Sequence, residues 1–137
     1  MKCIFLSAVF LASTISIAQA ADKPIVTPLA STTQTMTGQQ IEVPANPQVI
    51  ATLVEIPPGA KLPEHKHPYA RYGYVLEGTL TGTETETGKV YTYSQGQFIV
   101  EMRDQWHSAV NNGNVPVRVL VIDQVPVGTT TNTVQKQ

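Results

Sequence analysis

Three histidines, His65, His67 and His107, are the residues of this chain best suited to metal chemistry. His65 and His67 are two positions apart, and side chains with that spacing leave the same face of a β-strand. His107 would join them from a distant strand. Neutral imidazole is a good ligand for transition metals. Three nitrogen ligands leave a coordination position open for water or substrate. The pattern therefore predicts a divalent metal site, with Fe, Mn, Cu, Ni or Zn as candidates.

The histidines lie among segments that have the pattern of short β-strands. From Val49 onward, β-branched and aromatic residues alternate with polar ones, and Gly, Pro and Asn interrupt them. We predict strands over 49–56, 62–67, 71–77, 79–85, 89–93, 97–101, 106–110 and 115–125. The Thr87-Gly88 pair is expected to close a hairpin. No segment shows a sustained helical period with capping residues, so the pattern favours an all-β sandwich or barrel.

Residues 1–20 have the pattern of a secretory signal peptide. A positive charge at Lys2 precedes an apolar stretch over 4–17, and the small residues of 18–20 form a cleavage site. We expect cleavage before Ala21 and therefore a secreted or periplasmic protein. An uncleaved membrane anchor is the alternative, but the apolar run is short and is interrupted by Ser and Thr. Cleavage would remove the single cysteine, Cys3, so a disulfide cannot stabilise the mature domain.

The rest of the chain has the length of one domain. We divide it into an N-terminal arm over 21–48, a β domain over 49–125 and a C-terminal tail over 126–137. A short strand is expected in the arm near 41–43, and the tail is expected to fray after Gly128. The formal net charge is −1 and no basic block occurs. We therefore expect a small-molecule ligand or substrate, and neither nucleic acid nor, after signal cleavage, a membrane as partner.

The segment around the first two histidines resembles the first motif of the cupin superfamily. That motif runs Gly, five residues, His-x-His, three or four residues, Glu, six residues and Gly. Gly59, His65, His67 and Gly78 match its spacing. The position of the motif's glutamate is occupied by Arg71, because six residues must separate that position from Gly78.

The segment around the third histidine resembles the second cupin motif. That motif runs Gly, five residues, Pro-x-Gly, two residues, His, three residues and Asn. Gly96, His107 and Asn111 match it, whereas Met102 and Asp104 replace the proline and the glycine. The two motifs occur in the expected order with a short hairpin between them.

The resemblance extends over roughly residues 49–123 and has clear structural implications. It implies that the β domain is a single cupin domain, that is, a double-stranded β-helix or jelly-roll barrel. It implies that His65, His67 and His107 project into the mouth of the barrel and hold the metal. Cupins often pair through strand exchange or sheet packing, so a homodimer is expected.

Arg71 is the departure that matters most for function. Arginine stays protonated and cannot coordinate a metal. A site with three histidines and no motif glutamate resembles that of the thiol dioxygenase branch of the cupins, in which an arginine holds the substrate carboxylate. We therefore assign Arg71 a catalytic role, in which its guanidinium orients a small organic anion beside the metal. The alternative is that Arg71 turns away and pairs with Glu64, Glu77 or Glu101.

Three functions follow from these residues. The first is a metal-dependent dioxygenase-type oxidoreductase acting on a small organic anion. The second is a cupin that binds a small ligand or a metal without turnover. The third is an isomerase or hydrolase that uses the metal as a Lewis acid. Glu101 is a further, weaker candidate for a base or a fourth ligand. Export also bears on which metal is bound. Outside the cytoplasm, raw affinity favours Cu and Zn over Fe and Mn, which counts against an iron dioxygenase.

Overall fold

The computed structural model describes residues 23–137, so the predicted signal peptide lies outside the described residues. Within 23–137 the chain forms strands and turns, and no helix there is long and apolar enough to cross a membrane. The strands are β1 Pro47–Ile56, β2 Lys61–Lys66, β3 Ala70–Glu77, β4 Thr79–Glu84, β5 Val90–Ser94, β6 Phe98–Val100, β7 His107–Val110, β8 Val117–Pro126 and β9 Val134–Gln135.

The strands form two antiparallel sheets. Sheet A has the order β1-β8-β3-β6, and sheet B has the order β5-β4-β7-β2-β9. Strands that are distant in sequence therefore lie side by side, as β8 does between β1 and β3. The predicted all-β jelly-roll barrel is confirmed, and β4 and β5 form the predicted hairpin around Gly88.

The core lies between the two sheets and is built from the inward face of β8. Every second residue of this strand is buried, from Val117 through Val119 and Val121 to Val125. Ile56 of β1 packs in the same cluster. Burying these aliphatic side chains removes apolar surface from water, which is the main driving force for joining the sheets. Because Asp123 has the same parity as these valines, it also faces the interior.

The N-terminal arm is attached to the barrel, although it contains no strand at 41–43, where one was predicted. The Met36 amide donates to the Val100 carbonyl at 2.8 Å, which places the arm along the edge of sheet A. The Gln39 side chain both accepts from and donates to the backbone of Arg103, at 2.8 Å in each case. These bonds satisfy backbone groups that a strand would otherwise have paired.

The C-terminal tail also differs from expectation. The prediction that it frays after Gly128 is wrong, because the tail turns back over the barrel and adds β9 to the edge of sheet B beside β2. Asn132 is only 2% exposed. The tail was expected to fray because its Thr, Asn and Gln residues carry little apolar surface, and polar contacts hold it instead.

Gly78 has a conformation and a position that no other residue would tolerate. Its φ is +76°, and a Cβ atom built there would lie 2.7 Å from the Pro116 carbonyl oxygen. The close approach lets the chain turn from β3 into β4 directly beneath the start of β8. The glycine is therefore required both by backbone sterics and by packing.

We expect Gly78→Ala to destabilise the protein by about 1–3 kcal/mol more than Gly88→Ala, because only the first adds an overpacking cost. Gly88 is the matched control, since it has φ +70° but open space around its Cβ position. The measurement is the free energy of unfolding of both variants in urea. Equal losses in the two variants would contradict the packing role.

Candidate metal centre

Two neighbouring strands of sheet B, β2 and β7, bring the three predicted ligands together. His65 of β2 lies opposite His107 of β7 in the strand register, and His67 follows directly after the end of β2. A bulge between Leu62 and His65 adjusts the register there. The ring centroids are 4.4–4.9 Å apart, and the candidate ligand atoms all lie within 4.8 Å of one another. All three rings are buried.

Every imidazole of the cluster is oriented by a backbone carbonyl. The Nδ1 atoms of His65, His107 and His67 lie 2.6, 2.9 and 2.8 Å from the carbonyl oxygens of Pro63, Gln105 and Asn132, respectively. A carbonyl can only accept a hydrogen bond, so each Nδ1 carries a proton, and the neutral form of each ring has its lone pair on Nε2. Such bonds fix the tautomer and ring orientation of metal-binding histidines. The cluster thus presents three convergent Nε2 donors.

The pKa values of His65 and His107 are shifted in opposite directions. Burial lowers the pKa of His65 to about 4, so this imidazole is neutral near pH 7. Burial lowers the pKa of His107 as well, but the neighbouring Glu101 carboxylate more than offsets this, and the net shift is upward. The Nε2 of His107 is buried without a hydrogen-bond partner among residues 23–137. A buried nitrogen of this kind is costly unless it has a partner, and a metal ion would supply one.

Sheet A contributes a row of three charged side chains that face the histidines. Arg71 of β3 lies opposite Asp123 of β8 in the register. The Glu101 amide donates to the Arg71 carbonyl at 2.9 Å, which continues the β3–β6 pairing. Asp123, Arg71 and Glu101 therefore lie side by side on one face of the sheet. Oppositely charged side chains on adjacent strands of one face attract each other.

Arg71 stays inside the site, but a carboxylate already occupies its guanidinium. Its Nε and Nη2 lie 2.7 and 2.9 Å from the two Asp123 oxygens, and its Nη1 lies 3.3 Å from His67 Nε2. The two side chains are 15% and 5% exposed. The partner is therefore none of the three glutamates considered from the sequence. The visible signal for Asp123 was an acidic residue at an inward position of the alternating segment VRVLVIDQV.

Glu101 lies in the centre, although the sequence marked it only as a weaker candidate. Its Oε2 is 3.2 Å from His67 Nε2 and 3.6 Å from His107 Nε2. Burial would raise the pKa of Glu101, but His107, His67 and the Arg71 charge together hold it well below its usual range. The carboxylate is therefore ionised. Glu101 shares the inward parity of the buried Ile99 two residues earlier, and that parity could have indicated its position.

Two cavities of different character lie near the cluster, and only the first is lined by one of its histidines, His107. On the side of Glu101 and His107 is an apolar cavity of about 60 Å³. On the side of Arg71 is a larger cavity of about 270 Å³, lined by Arg71 and Asp123, by aliphatic side chains of β1 and by threonines of the C-terminal tail. The second cavity is large enough for a small organic molecule, whereas the first has room for only a few water-sized groups.

The departures in the second motif preserve the local geometry. Asp104 replaces the motif glycine and adopts φ 55°, a left-handed conformation that Asp tolerates better than most residues. Its amide donates to the His67 carbonyl at 2.9 Å.

Asn111 is fully buried, and its side-chain amide donates to the Ile56 and Val115 carbonyls. Asn111 therefore has a structural role in the turn after β7.

A comparison with protein families agrees with the sequence motifs. Residues 52–123, which are more than half of the chain, match the cupin domain family. The chain belongs to the cupin domain family. This cupin retains the three histidines, carries Arg71 in place of the first motif's glutamate, and brings Glu101 to the cluster from the end of β6.

Several individual proteins are similar to this cupin. The tetracenomycin polyketide synthase protein TcmJ of Streptomyces glaucescens is 34% identical over 68 residues, which are 49% of this chain and 44% of TcmJ. This cupin therefore spans less than half of that relative's length. The polyketide cyclase RemF of Streptomyces resistomycificus superposes with a TM-score of 0.51 at 23% identity, covering 64% of this chain and 66% of RemF.

An uncharacterised protein with a double-stranded β-helix domain from Klebsiella pneumoniae superposes equally well. Its TM-score is 0.52 at 20% identity, covering 67% of this chain and 87% of that protein. At such identities the likeness to RemF and to the Klebsiella protein shows the fold alone.

We expect His65→Ala or His107→Ala to abolish stoichiometric metal binding while the β fold is retained. Each substitution removes one of three Nε2 donors, and the remaining pair cannot complete the site. Lys66→Ala is the matched control, because Lys66 lies between two ligands in sequence but pairs with Asp104 outside the cluster, at 3.0 Å. Elemental analysis and far-ultraviolet circular dichroism are the measurements. Full metal content in both histidine variants would refute the assignment.

Proposed function

We propose that this protein is an exported, metal-dependent cupin enzyme, a dioxygenase-type oxidoreductase that acts on a small organic anion. The observation that carries the proposal is the convergence of three Nε2 atoms beside Arg71, whose Nη1 lies 3.3 Å from His67 Nε2 and whose side chain also lines a cavity. When bound, a redox-active metal would supply the binding of dioxygen and the electron transfer. The residues of the chain would bind and orient the anion and keep bulk water out.

The charges around the cluster support an anionic substrate. The three histidines are neutral ligands, and Asp123 neutralises the charge of Arg71. Glu101 offsets part of the charge of a divalent ion. A net positive charge therefore remains at the metal, and it would attract an anion into the cavity. Arg71 would orient that anion, since Asp123 holds its guanidinium in place with Nη1 facing the cluster.

The size of the cavity supports a small substrate. Pockets for drug-sized ligands have volumes of about 300–1,000 Å³, and the cavity beside Arg71 has about 270 Å³. Threonine hydroxyls on one wall and the aliphatic side chains Ile50 and Val54 on the other would accommodate a molecule with both polar and apolar parts.

A second candidate function uses the metal as a Lewis acid. The ionised Glu101 carboxylate beside His67 and His107 would be placed to accept a proton from a substrate or water molecule held at the cluster. Such a pair of groups supports isomerase or hydrolase chemistry, and the metals favoured outside the cytoplasm would serve it. Binding of a ligand or a metal without turnover is the third candidate.

The first experiment is elemental analysis of the mature protein, purified from its native compartment without a histidine tag. The metal-loaded protein is then assayed with a panel of small carboxylates for oxygen consumption and for incorporation of both atoms of ¹⁸O₂ into product. We expect stoichiometric redox metal and oxygen uptake with one member of the panel. Turnover without oxygen uptake would favour the Lewis-acid function, and binding without turnover would favour the third candidate.

Arg71→Lys tests the role of the guanidinium in that assay. Lysine keeps the charge but loses the planar fork, and a hydrogen bond to a charged group contributes about 1.5–3 kcal/mol. We therefore expect KM for the anion to rise roughly tenfold or more, with metal content unchanged. An unchanged KM would show that Arg71 has only its structural pairing with Asp123.

We further propose that the protein is a homodimer that uses the outer face of sheet A. Three large aliphatic side chains on this face, Val49, Leu53 and Leu76, are 61%, 51% and 40% exposed. Leu53 lies opposite the outward-facing Leu120 of β8 in the register, which makes the apolar surface continuous across strands. Contiguous apolar surface of this kind marks an interaction site, and a second copy of the same face would cover it symmetrically.

We expect Leu53→Glu to shift the protein from dimer to monomer, because it places like charges across the proposed interface. Val90→Glu is the control, since Val90 is similarly exposed at 57% but belongs to sheet B. Sedimentation velocity at micromolar protein distinguishes the states. A monomeric wild-type protein under these conditions would rule the dimer out.

A further inference from the structure

The last nine residues, 129–137, form what we call the C-terminal strap. It leaves β8 after Gly128, crosses the edge of the metal centre and ends on sheet B. Its β9 strand pairs with β2, with Val134 opposite Lys66 and Gln135 opposite His65. The Lys136 amide donates to the Glu64 carbonyl at 3.0 Å. The strap therefore borders the backbone that carries the first two ligands.

The centre of the strap is anchored through the side chain of Asn132. Its Oδ1 accepts from the Tyr69 amide at 2.9 Å, and its Nδ2 donates to the Tyr69 carbonyl at 3.1 Å and to Asp123 Oδ1 at 2.7 Å. Three hydrogen bonds from one amide leave little freedom to this buried group. Asn132 thus joins the strap both to the loop after His67 and to the carboxylate that holds Arg71.

The backbone of the same residue completes the orientation of a ligand. The Asn132 carbonyl accepts the Nδ1 proton of His67 at 2.8 Å. For His65 and His107, the corresponding carbonyl lies only two residues earlier in the chain. For His67 it lies 65 residues later. The orientation of His67, which is completely buried, therefore depends on a remote segment and not on its own strand.

We propose that the C-terminal strap, through Asn132, is a positioning element of the metal centre, and that closure of the strap and metal binding are coupled. The proposal rests on the metal site described above but not on any particular reaction. When the strap is closed, His67 carries its proton on Nδ1 and directs the Nε2 lone pair at the metal. When it is open, that proton loses its acceptor, and the ring is free to rotate or to change tautomer.

Coupling of this kind must act in both directions. If closure of the strap raises the metal affinity by some factor, metal binding must favour closure by the same factor. A strap that served only to stabilise the barrel would stabilise the metal-free and metal-bound protein equally. It would also leave the tautomer of His67 unaffected.

The first test measures metal affinity by competition with a chelator in the full chain, in Asn132→Ala and in a protein that ends at Gly128. Loss of a group that orients a ligand typically lowers metal affinity by about 10–100-fold. We expect a loss in that range for both variants. Gln135→Ala is the matched control, because it lies in the strap and is exposed, and its backbone pairing does not need its side chain. Unchanged affinity in both variants would overturn the proposal.

The second test uses the wild-type chain, so it does not depend on the folding of a variant. Carboxypeptidase should release the residues beyond Asn132 more slowly from the Zn²⁺-loaded protein than from the metal-free protein. Equal rates of release would contradict the coupling.

The third test separates this proposal from the proposed function. In metal-free wild-type protein, ¹⁵N shifts of the imidazoles should show His67 as the Nδ1–H tautomer, and in Asn132→Ala the Nε2–H tautomer should appear. A wild-type protein that binds no metal would refute the proposed enzyme and the coupling together. Metal binding with an unchanged His67 tautomer in Asn132→Ala would refute the strap alone.

Discussion

Three hydrogen bonds, from the Nδ1 atoms of His65, His67 and His107 to backbone carbonyls, determine what the centre of this protein can do. Because a carbonyl oxygen accepts and never donates, these bonds place the proton of each neutral ring on the outer nitrogen and its lone pair on the inner one. The rings are then fixed as donors before any metal arrives. The cost of leaving such a nitrogen without a partner in the interior is visible at His107 Nε2, and a metal ion would remove it.

The second constraint is electrostatic and comes from the opposite sheet. Asp123, Arg71 and Glu101 lie next to one another on three different chain segments, with alternating sign. This order lets a guanidinium lie 3.3 Å from His67 Nε2, since one carboxylate neutralises it on one side and another carboxylate lies near the histidines. The usual carboxylate of the cupin motif is missing at position 71, yet a carboxylate is present in the pocket. The chemistry of the site therefore differs from its motif less than the sequence indicates.

Much of the fold could be predicted because its signals are local. Alternation of apolar and polar residues depends only on neighbours two positions apart, and the inward valines of β8 follow it throughout. The turn glycines act within a few residues, as Gly78 does at the β3–β4 corner. The tail could not be predicted in this way, because its composition is that of a disordered segment. Asn132 becomes ordered only when the loop around Tyr69 provides partners for its amide.

The sequence by itself determined the fold class, the three candidate ligands and the absence of a glutamate at position 71, since each of these is a matter of residue type and short spacing. Tertiary structure alone decided that Arg71 pairs with Asp123, that Glu101 enters the site and that the tail orients His67. The physical reason is sequence separation. Arg71 and Asp123 are 52 residues apart, and His67 and Asn132 are 65 apart. Which of several carboxylates or carbonyls meets a given side chain depends on the order of strands in the sheets, and that order is set by packing of the whole barrel.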